Sequence, residues 1–470
     1  MSAEATARQA AAPQLSAVVA DFIAELTPDA VPQAALHSAA LSLLDGIGVA
    51  LAASRLGEGC EDFAALAIEA GGRADATVIG YGARVPAAAA ALANGSMSHA
   101  LDFEDSIDGV AVHPHAQVLP AVVALAEQRD VGGARLLASV ALGCDITVRL
   151  GRSTGDALAD RGWYPPPILG GLGATAACAF LIGLNSRQVR DALSLALHQV
   201  TASGEIKHSP ASIIRGVRDG FAAQAAVQSV QLAERGVRGF DRPLDGASGF
   251  FATFAGGEFD PRELLDGLGR RWAGVETSFK PWPSCRGTHA FVQAALEART
   301  RTPVDDIVEV LLEGAPVNEM LAVPLAAKQR PTSAIDAKFS LPFTVATALV
   351  RGGVTLESFS PASLRSADVL RVAERIRYVA DPSGRFAMTA GRMSIRTFAG
   401  TSIVLEVEHP RGNPTDPIPV SELREKFVSC AADAVIPFTR ERAESVADDI
   451  LAVATAPRLR EHIASWLSAA

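Results

Sequence analysis

The sequence predicts a mainly helical protein with an α+β part inserted before its C-terminal helices. Apolar residues recur at amphipathic-helix spacing through most of residues 14–269. Between residues 270 and 410 the period changes, and four runs alternate apolar and polar side chains as strands do. The last fifty residues return to helical spacing and are expected to rejoin the first helices. The expected division is a disordered leader (1–13), a helical domain (14–269), an α+β domain (270–410), then a linker with C-terminal helices (411–470). A chain of 470 residues is also too long for one core.

Taken in order, Leu15 to Ser54 reads as helix, with Asp29 and Pro32 marking a restart. ATVIGYG (76–82) reads as a short extended piece, and residues 86–100, 116–128 and 134–151 as helices. In RGWYPPPILGGLG (161–173) three consecutive prolines argue against helix, and the glycines then open GATAACAFLIGL. That loop would present Tyr164 and bare backbone amides to a pocket. GEIKHSPASIIRGVRDG (204–220) carries Lys207, His208, Arg215 and Arg218 ahead of an alanine-rich helix ended by Gly236.

In the α+β part, SFKPWPSCRGTHA (278–290) gathers Lys280, Cys285, Arg286 and His289 among stiffening prolines. IVEVLLEG, RIRYVA, RMSIRTF and TSIVLEVEH read as strands. AKFSLPFTVATALVRGG and Pro361–Ser366 read as helices, and PRGNPTDPIP (410–419) as a linker.

Composition narrows the function. Net charge is −10, with no basic stripe of the kind nucleic acid requires. Cys60, Cys144, Cys178, Cys285 and Cys430 are scattered without a C-x-x-C pair, which argues against a disulfide framework or a metal cluster. No run reads as long and apolar enough to span a bilayer, and the alanine-rich start does not read as a signal peptide. A soluble, cytoplasmic protein is expected.

The densest chemistry lies in HALDFEDSIDGVAVHPHAQVLP (99–120). Asp102, Glu104, Asp105, Ser106, Asp108, His113 and His115 crowd between two apolar helices. Unpaired buried charge is costly, so the set reads as a pocket rather than a solvated loop.

With these passages in place, the chain resembles the MmgE/PrpD family. The resemblance rests on ALANGSMSHALDFEDS with HP ten residues beyond Phe103, PPPILGGLGATAACAFLIGL, RGFDRPLDGASGFF, SFKPWPSCRGTHA, DAKFSLPF, and EHPRGNP with EKF. It implies an all-α domain formed by both chain ends, an inserted α+β lid domain, a homodimer, and neither metal nor organic cofactor. It carries the family's active-site aspartate onto Asp102, a neighbouring hydroxyl onto Ser106, the histidine of the HP pair onto His113, and the lysine that begins the lid onto Lys280. The third passage offers Lys207 or His208. Tyr164 and Cys285 stand where the family's decarboxylases carry histidine.

The chemistry implied is proton removal beside a carboxylate, giving an enediolate. His113 suits the base or acid role, since an ordinary histidine titrates near ~6.5. Asp102 would orient a histidine or share the proton transfer. Lys280 and Arg286 would hold carboxylates. Tyr164 would donate a hydrogen bond or a proton, Cys285 would be a packed thiol, and His289 would cap or pack its helix or act directly; with Ser106, Lys207, His208 and Arg286 these three are the expected lining of the substrate site. Neither His113 nor Lys280 is expected to carry the core.

The resulting expectation is a cofactor-independent lyase, a dehydratase of a small hydroxylated di- or tricarboxylate. An epimerase or isomerase, a decarboxylase, and a non-catalytic polycarboxylate-binding protein are the alternatives.

Overall fold

The computed structural model describes residues 14–209 and 212–469, so the leader expected over residues 1–13 lies outside them. Helices of eight or more residues are numbered in chain order. The first nine are α1 (Leu15–Glu25), α2 (Gln33–Leu56), α3 (Cys60–Glu69), α4 (Ala87–Ser98), α5 (Pro114–Arg129), α6 (Gly133–Thr154), α7 (Pro165–Ile182), α8 (Ser186–Leu197) and α9 (Asp219–Glu234). They build a helical body. Small residues let its helices approach closely. A Cβ on Gly95 of α4 would lie 2.6 Å from the Gly220 Cα of α9, so this crossing requires glycine on both sides.

The sheet part contains α10 (His289–Ala298) and α11 (Leu341–Arg351) beside a mixed sheet of β5 (Ile307–Gly314), β6 (Ile376–Ala380), β7 (Gly391–Thr397) and β8 (Ser402–Val407). Strand order is β6-β5-β7-β8; β5 and β6 run parallel and the other pairs antiparallel. The chain then forms α12 (Val420–Ala432), α13 (Arg440–Leu451) and α14 (Arg460–Leu467). One buried apolar cluster runs from Leu15 to Phe279 and resumes from Leu423 to Leu467, while a second spans Cys285 to Val407.

Two short ladders matter for position. β1 (Ala76–Thr77) pairs with β2 (Arg84–Val85) ahead of α4. β3 (Ser106–Ile107) pairs antiparallel with β4 (Thr277–Ser278), which brings the acidic passage beside the segment that enters the sheet part.

Several local expectations are corrected. Helix α7 begins at Pro165, so the three prolines form its first turn. First-turn amides have no helical partner, and proline's fixed φ suits that place. Gly170, Gly171 and Gly173 lie inside the helix, and their amides belong to its ladder rather than to a pocket. The run 337–353 is not one helix. Ser340 breaks it and caps α11, its Oγ accepting from the Phe343 amide at 3.0 Å. Around Pro361–Ser366 only Ser363–Arg365 is a 3₁₀ turn, and the regular helix is Ala367–Ala373. Helices α2 and α7 do carry windows of mean hydropathy 1.5, enough for a bilayer by length and composition, but 72% and 94% of those windows are buried inside the protein.

Candidate active site

The site grows out of the end of α4. His99 follows the helix, and the Asp102 amide donates to its carbonyl at 2.9 Å. Asp102 adopts φ 49°, a left-handed backbone that aspartate tolerates better than most residues. This turn delivers its carboxylate to Lys280, whose Nζ donates to Asp102 Oδ1 at 2.6 Å and to the Asp102 carbonyl at 3.1 Å. The same ammonium lies 3.9 Å from Glu104 Oε1. Glu104 Oε1 also takes a short hydrogen bond from His99 Nδ1 and lies 3.2 Å from His113 Nδ1. Asp102, His113 and Lys280 are therefore brought together, with Glu104 as the bridge.

Burial opposes charge here, yet the ions hold one another. Burial alone would raise Asp102 and Glu104. The Lys280 ammonium and His99 override it, leaving Asp102 below the ordinary carboxylate range and Glu104 well below it. Lys280 is raised against its burial by Asp102 and Glu104, so it is a firm cation. His113 moves the other way: burial lowers it, Lys280 and His99 add to that, and Glu104 only partly opposes them. At neutral pH its ring is neutral. His113 begins α5 just before Pro114 and is the accessible member of the group, its side chain 19% exposed against 2% or less for His99, Asp102, Glu104 and Lys280.

A second buried pair lies behind the first. His115 Nδ1 sits 2.7 Å from Asp105 Oδ2, and Asp105 overcomes burial to push His115 up to about 10. From the C-terminal helices, Lys426 of α12 donates to the Phe103 carbonyl at 2.7 Å and the Lys280 carbonyl at 3.0 Å. It is neutralised by Asp45 of α2 at 2.6 Å. Lys426 thus fastens both halves of the site from behind.

Other expected residues take different places. Arg286 is not free to grip a substrate. Its Nε and Nη2 clamp Asp108 at 3.0 and 2.9 Å, and its Nη1 and Nη2 also hold the Arg411 and Pro410 carbonyls. Asn413 donates to the same Asp108 at 2.8 Å, so residues 410–413 are stitched to the site rather than a loose linker. His289 is buried between Arg286 and the Ser284 carbonyl and held well below its ordinary value by burial and Arg286, a packed neutral ring. Burial pushes the Cys285 thiol up to about 11, so it stays protonated at neutral pH.

Tyr164 is buried under two cations, with the Arg218 guanidinium 4.9 Å and Lys207 Nζ 5.8 Å from its ring centre. Lys207 thereby reaches this wall. His208 is exposed, and among the described residues its ring makes no hydrogen bond or ring contact with the cluster. Ser106 Oγ, Asp102 Oδ2, Glu104 Oε2 and Arg218 Nε and Nη2 are buried without hydrogen-bond partners among the described residues. Such a concentration of unsatisfied polar atoms fits a polar ligand.

His99, Glu104 and His113 place three potential metal-ligand atoms within 4.8 Å of one another. The donors do not fit a cation well. Glu104 Oε1 already faces the Lys280 ammonium, and His113 Nδ1 is 2.9 Å from the Asp105 carbonyl. The histidine beside His113 in this group is His99, their ring centres 4.9 Å apart, while His115 turns to Asp105.

His99, Lys338 and Lys426 were missed as site residues, and Arg218 stood only as one member of the basic passage 204–220. Lys338 and Lys426 lie in DAKFSLPF and EKF, two of the pieces that carry the family resemblance, and that was the available signal. His99 had none, because a histidine closing a helix is ordinary.

Residues 17–262 match the MmgE/PrpD N-terminal domain, and residues 282–452 the MmgE/PrpD C-terminal domain. The chain is 26% identical over 474 residues to a cis-aconitate decarboxylase-like protein of Aspergillus oryzae, covering 96% of each. It is 27% identical over 443 residues to a cis-aconitate decarboxylase of Aspergillus terreus, covering 88% of each. It is 26% identical over 360 residues to the cis-aconitate decarboxylase of Homo sapiens, covering 73% of this chain and 72% of that one. Matched over most of its length by both domains, the chain belongs to the MmgE/PrpD family.

Proposed function

We propose that the protein is a lyase that removes a proton beside a carboxylate of a small hydroxylated di- or tricarboxylate and expels hydroxide. The observation that carries this reading is His113: a neutral, partly accessible imidazole beside a closed Lys280–Asp102 ion pair. Its Nδ1 faces the Asp105 carbonyl, which can only accept. The proton of the neutral ring therefore sits on Nδ1, and the Nε2 lone pair is the base. Charge developing on the enediolate is stabilised by the Lys280 ammonium, fixed in place before the reaction. The imidazolium that results returns its proton to the departing hydroxide when both bonds lie on one face.

A second reading is decarboxylation, favoured by the names of the curated relatives. Tyr164 and Cys285, where the decarboxylase pattern carries histidine, weigh against it. The test is incubation in D2O with hydroxylated di- and tricarboxylates and with cis-aconitate, read by NMR and by carbon dioxide release. New olefinic signals with loss of water support the dehydratase. Carbon dioxide from cis-aconitate selects the second reading. Solvent exchange with no net product selects an epimerase, and silence in every arm removes the enzyme altogether.

A further inference from the structure

Two buried lysines, Lys280 and Lys338, and the half-buried Lys426 surround the acidic passage, and one lacks a counter-ion among the described residues. Lys280 has Asp102 at 2.6 Å and Lys426 has Asp45 at 2.6 Å. Lys338, at the end of the short helix Ala334–Lys338, is only 3% exposed, yet no carboxylate lies within ion-pair distance among the described residues. Its Nζ donates to the Leu101 carbonyl and lies 5.0 Å from the centre of the Phe359 ring. Two of its three donor hydrogens remain unassigned.

Lys338 also lines a cleft of about 880 Å³ between the helical body and the sheet part. Ala100, Leu101 and Gly216 form one wall, Ser333 and Phe359 the other. This volume falls in the range that holds small ligands. The lysine is joined to the acidic passage through Leu101, the residue before Asp102. Lys338 and Lys280 donate to consecutive carbonyls, Leu101 and Asp102. A lone buried ammonium is costly, and burial pushes Lys338 down to about 7 although Asp102 opposes it. An arriving carboxylate removes that cost.

We infer that Lys338 is a substrate-anchoring residue: it binds, from the cleft, a carboxylate other than the one beside the reacting carbon. This inference rests on the reading that the site takes a small polycarboxylate. Lys338 would add affinity and select acids with a second carboxylate, while His113 and Lys280 perform the chemistry. A purely structural Lys338 would instead serve only to hold the Leu101 carbonyl.

Calorimetric titration with propane-1,2,3-tricarboxylate, an inert probe, tests it on the full chain. Wild type should bind. Lys338→Met should bind about 10- to 100-fold more weakly, the effect of losing one charge-assisted hydrogen bond, and Lys338→Arg should recover most of the affinity. Lys338→Met should melt at or above the wild-type temperature, because it removes an unpaired buried charge. Unchanged affinity in Lys338→Met, with wild type binding, overturns the anchor and leaves the proposed function standing. If wild type binds no polycarboxylate at all, the proposed function falls first. If Lys338→Met does not fold, wild type decides: tricarboxylate should protect Lys338 from acetylation by acetic anhydride, read by peptide mass spectrometry. No protection overturns the inference.

Discussion

Lys280 Nζ and Asp102 Oδ1 lie 2.6 Å apart, both side chains closed to solvent, although 178 residues separate them in the chain. One comes from the turn after α4 and the other from the segment that enters the sheet part. The β3–β4 ladder sets their approach, and Lys426 holds the backbone behind both. The pair therefore has two duties: it locks the joint between the two parts of the chain, and it fixes a cation where charge would develop.

The expectation that Lys280 carries no structural load is therefore corrected. Lys280→Ala leaves Asp102 and Glu104 buried without their cation, a loss of about 3–5 kcal/mol for a broken buried pair. Circular dichroism melts should show a clear fall in Tm together with loss of turnover. Lys280→Ala combined with Asp102→Asn should regain part of the Tm but none of the activity. A single variant that melts like wild type would mean the pair is not held in solution.

His113 is the opposite case. It is partly exposed and bears no structural ion pair of its own, so His113→Ala should fold normally while kcat falls about 10²-fold or more. Burial holds its pKa below the ordinary 6.5, and the base must be unprotonated to act. The rate kcat/KM should thus climb about tenfold per pH unit on an acid limb below pH 6.5, then level toward neutrality. A wild-type profile with that limb intact in His113→Ala would assign the base elsewhere.

Much of this site was legible because its charges are crowded in two short passages. The acids of residues 102–108, His113 and the Lys280 segment stand out as ionisable groups amid apolar helix patterns, and burial makes such patterns expensive. The four strands were equally legible, since period two has no helical reading. The start of α7 was not: proline is a breaker within a helix but a good first-turn residue, and sequence alone does not say which turn it occupies. The partners of Arg286 were hidden as well. Asp108, Pro410 and Arg411 meet it only through tertiary packing, so a guanidinium that resembled a substrate grip is an internal clamp.

The Asp105–His115 pair gives a pH test of stability. His115 is raised from its ordinary 6.5 to about 10, so the folded chain binds that proton more tightly than the unfolded chain. The stabilisation is complete below about pH 6.5 and is lost as pH rises toward 10. Melting temperatures across that window should fall more steeply for wild type than for Asp105→Asn/His115→Gln. Parallel curves would show the pair to be uncharged.

The expected homodimer has a face to test. Leu66 of α3, Ile214 of the short helix Ile214–Val217 and Phe221 of α9 are exposed by 61%, 46% and 51%, and the Phe221 ring lies 5.5 Å from Phe63. Exposed apolar side chains are where an association surface is to be sought. Light scattering at micromolar concentration should give a dimer, and Phe221→Asp should shift it toward monomer. A monomeric wild type would dispose of the expectation.

The last prediction concerns metal. His99, Glu104 and His113 have the spacing for three ligands, and such a trio in a pocket invites a cation. Its electrostatics point the other way. Glu104 already receives His99 and stands 3.9 Å from the Lys280 ammonium, so an entering cation must displace or repel a lysine that Asp102 holds in place. His113 Nδ1 would also have to leave the Asp105 carbonyl and lose its proton before it could ligate. Turnover on an identified substrate should therefore survive exhaustive chelation, with no metal retained in stoichiometric amount by elemental analysis. Loss of activity on chelation, restored by one divalent ion and abolished in His99→Ala, would instead make the trio a ligand set. Lys280 would then be the residue that tunes the ligand set's affinity rather than the charge that replaces a metal.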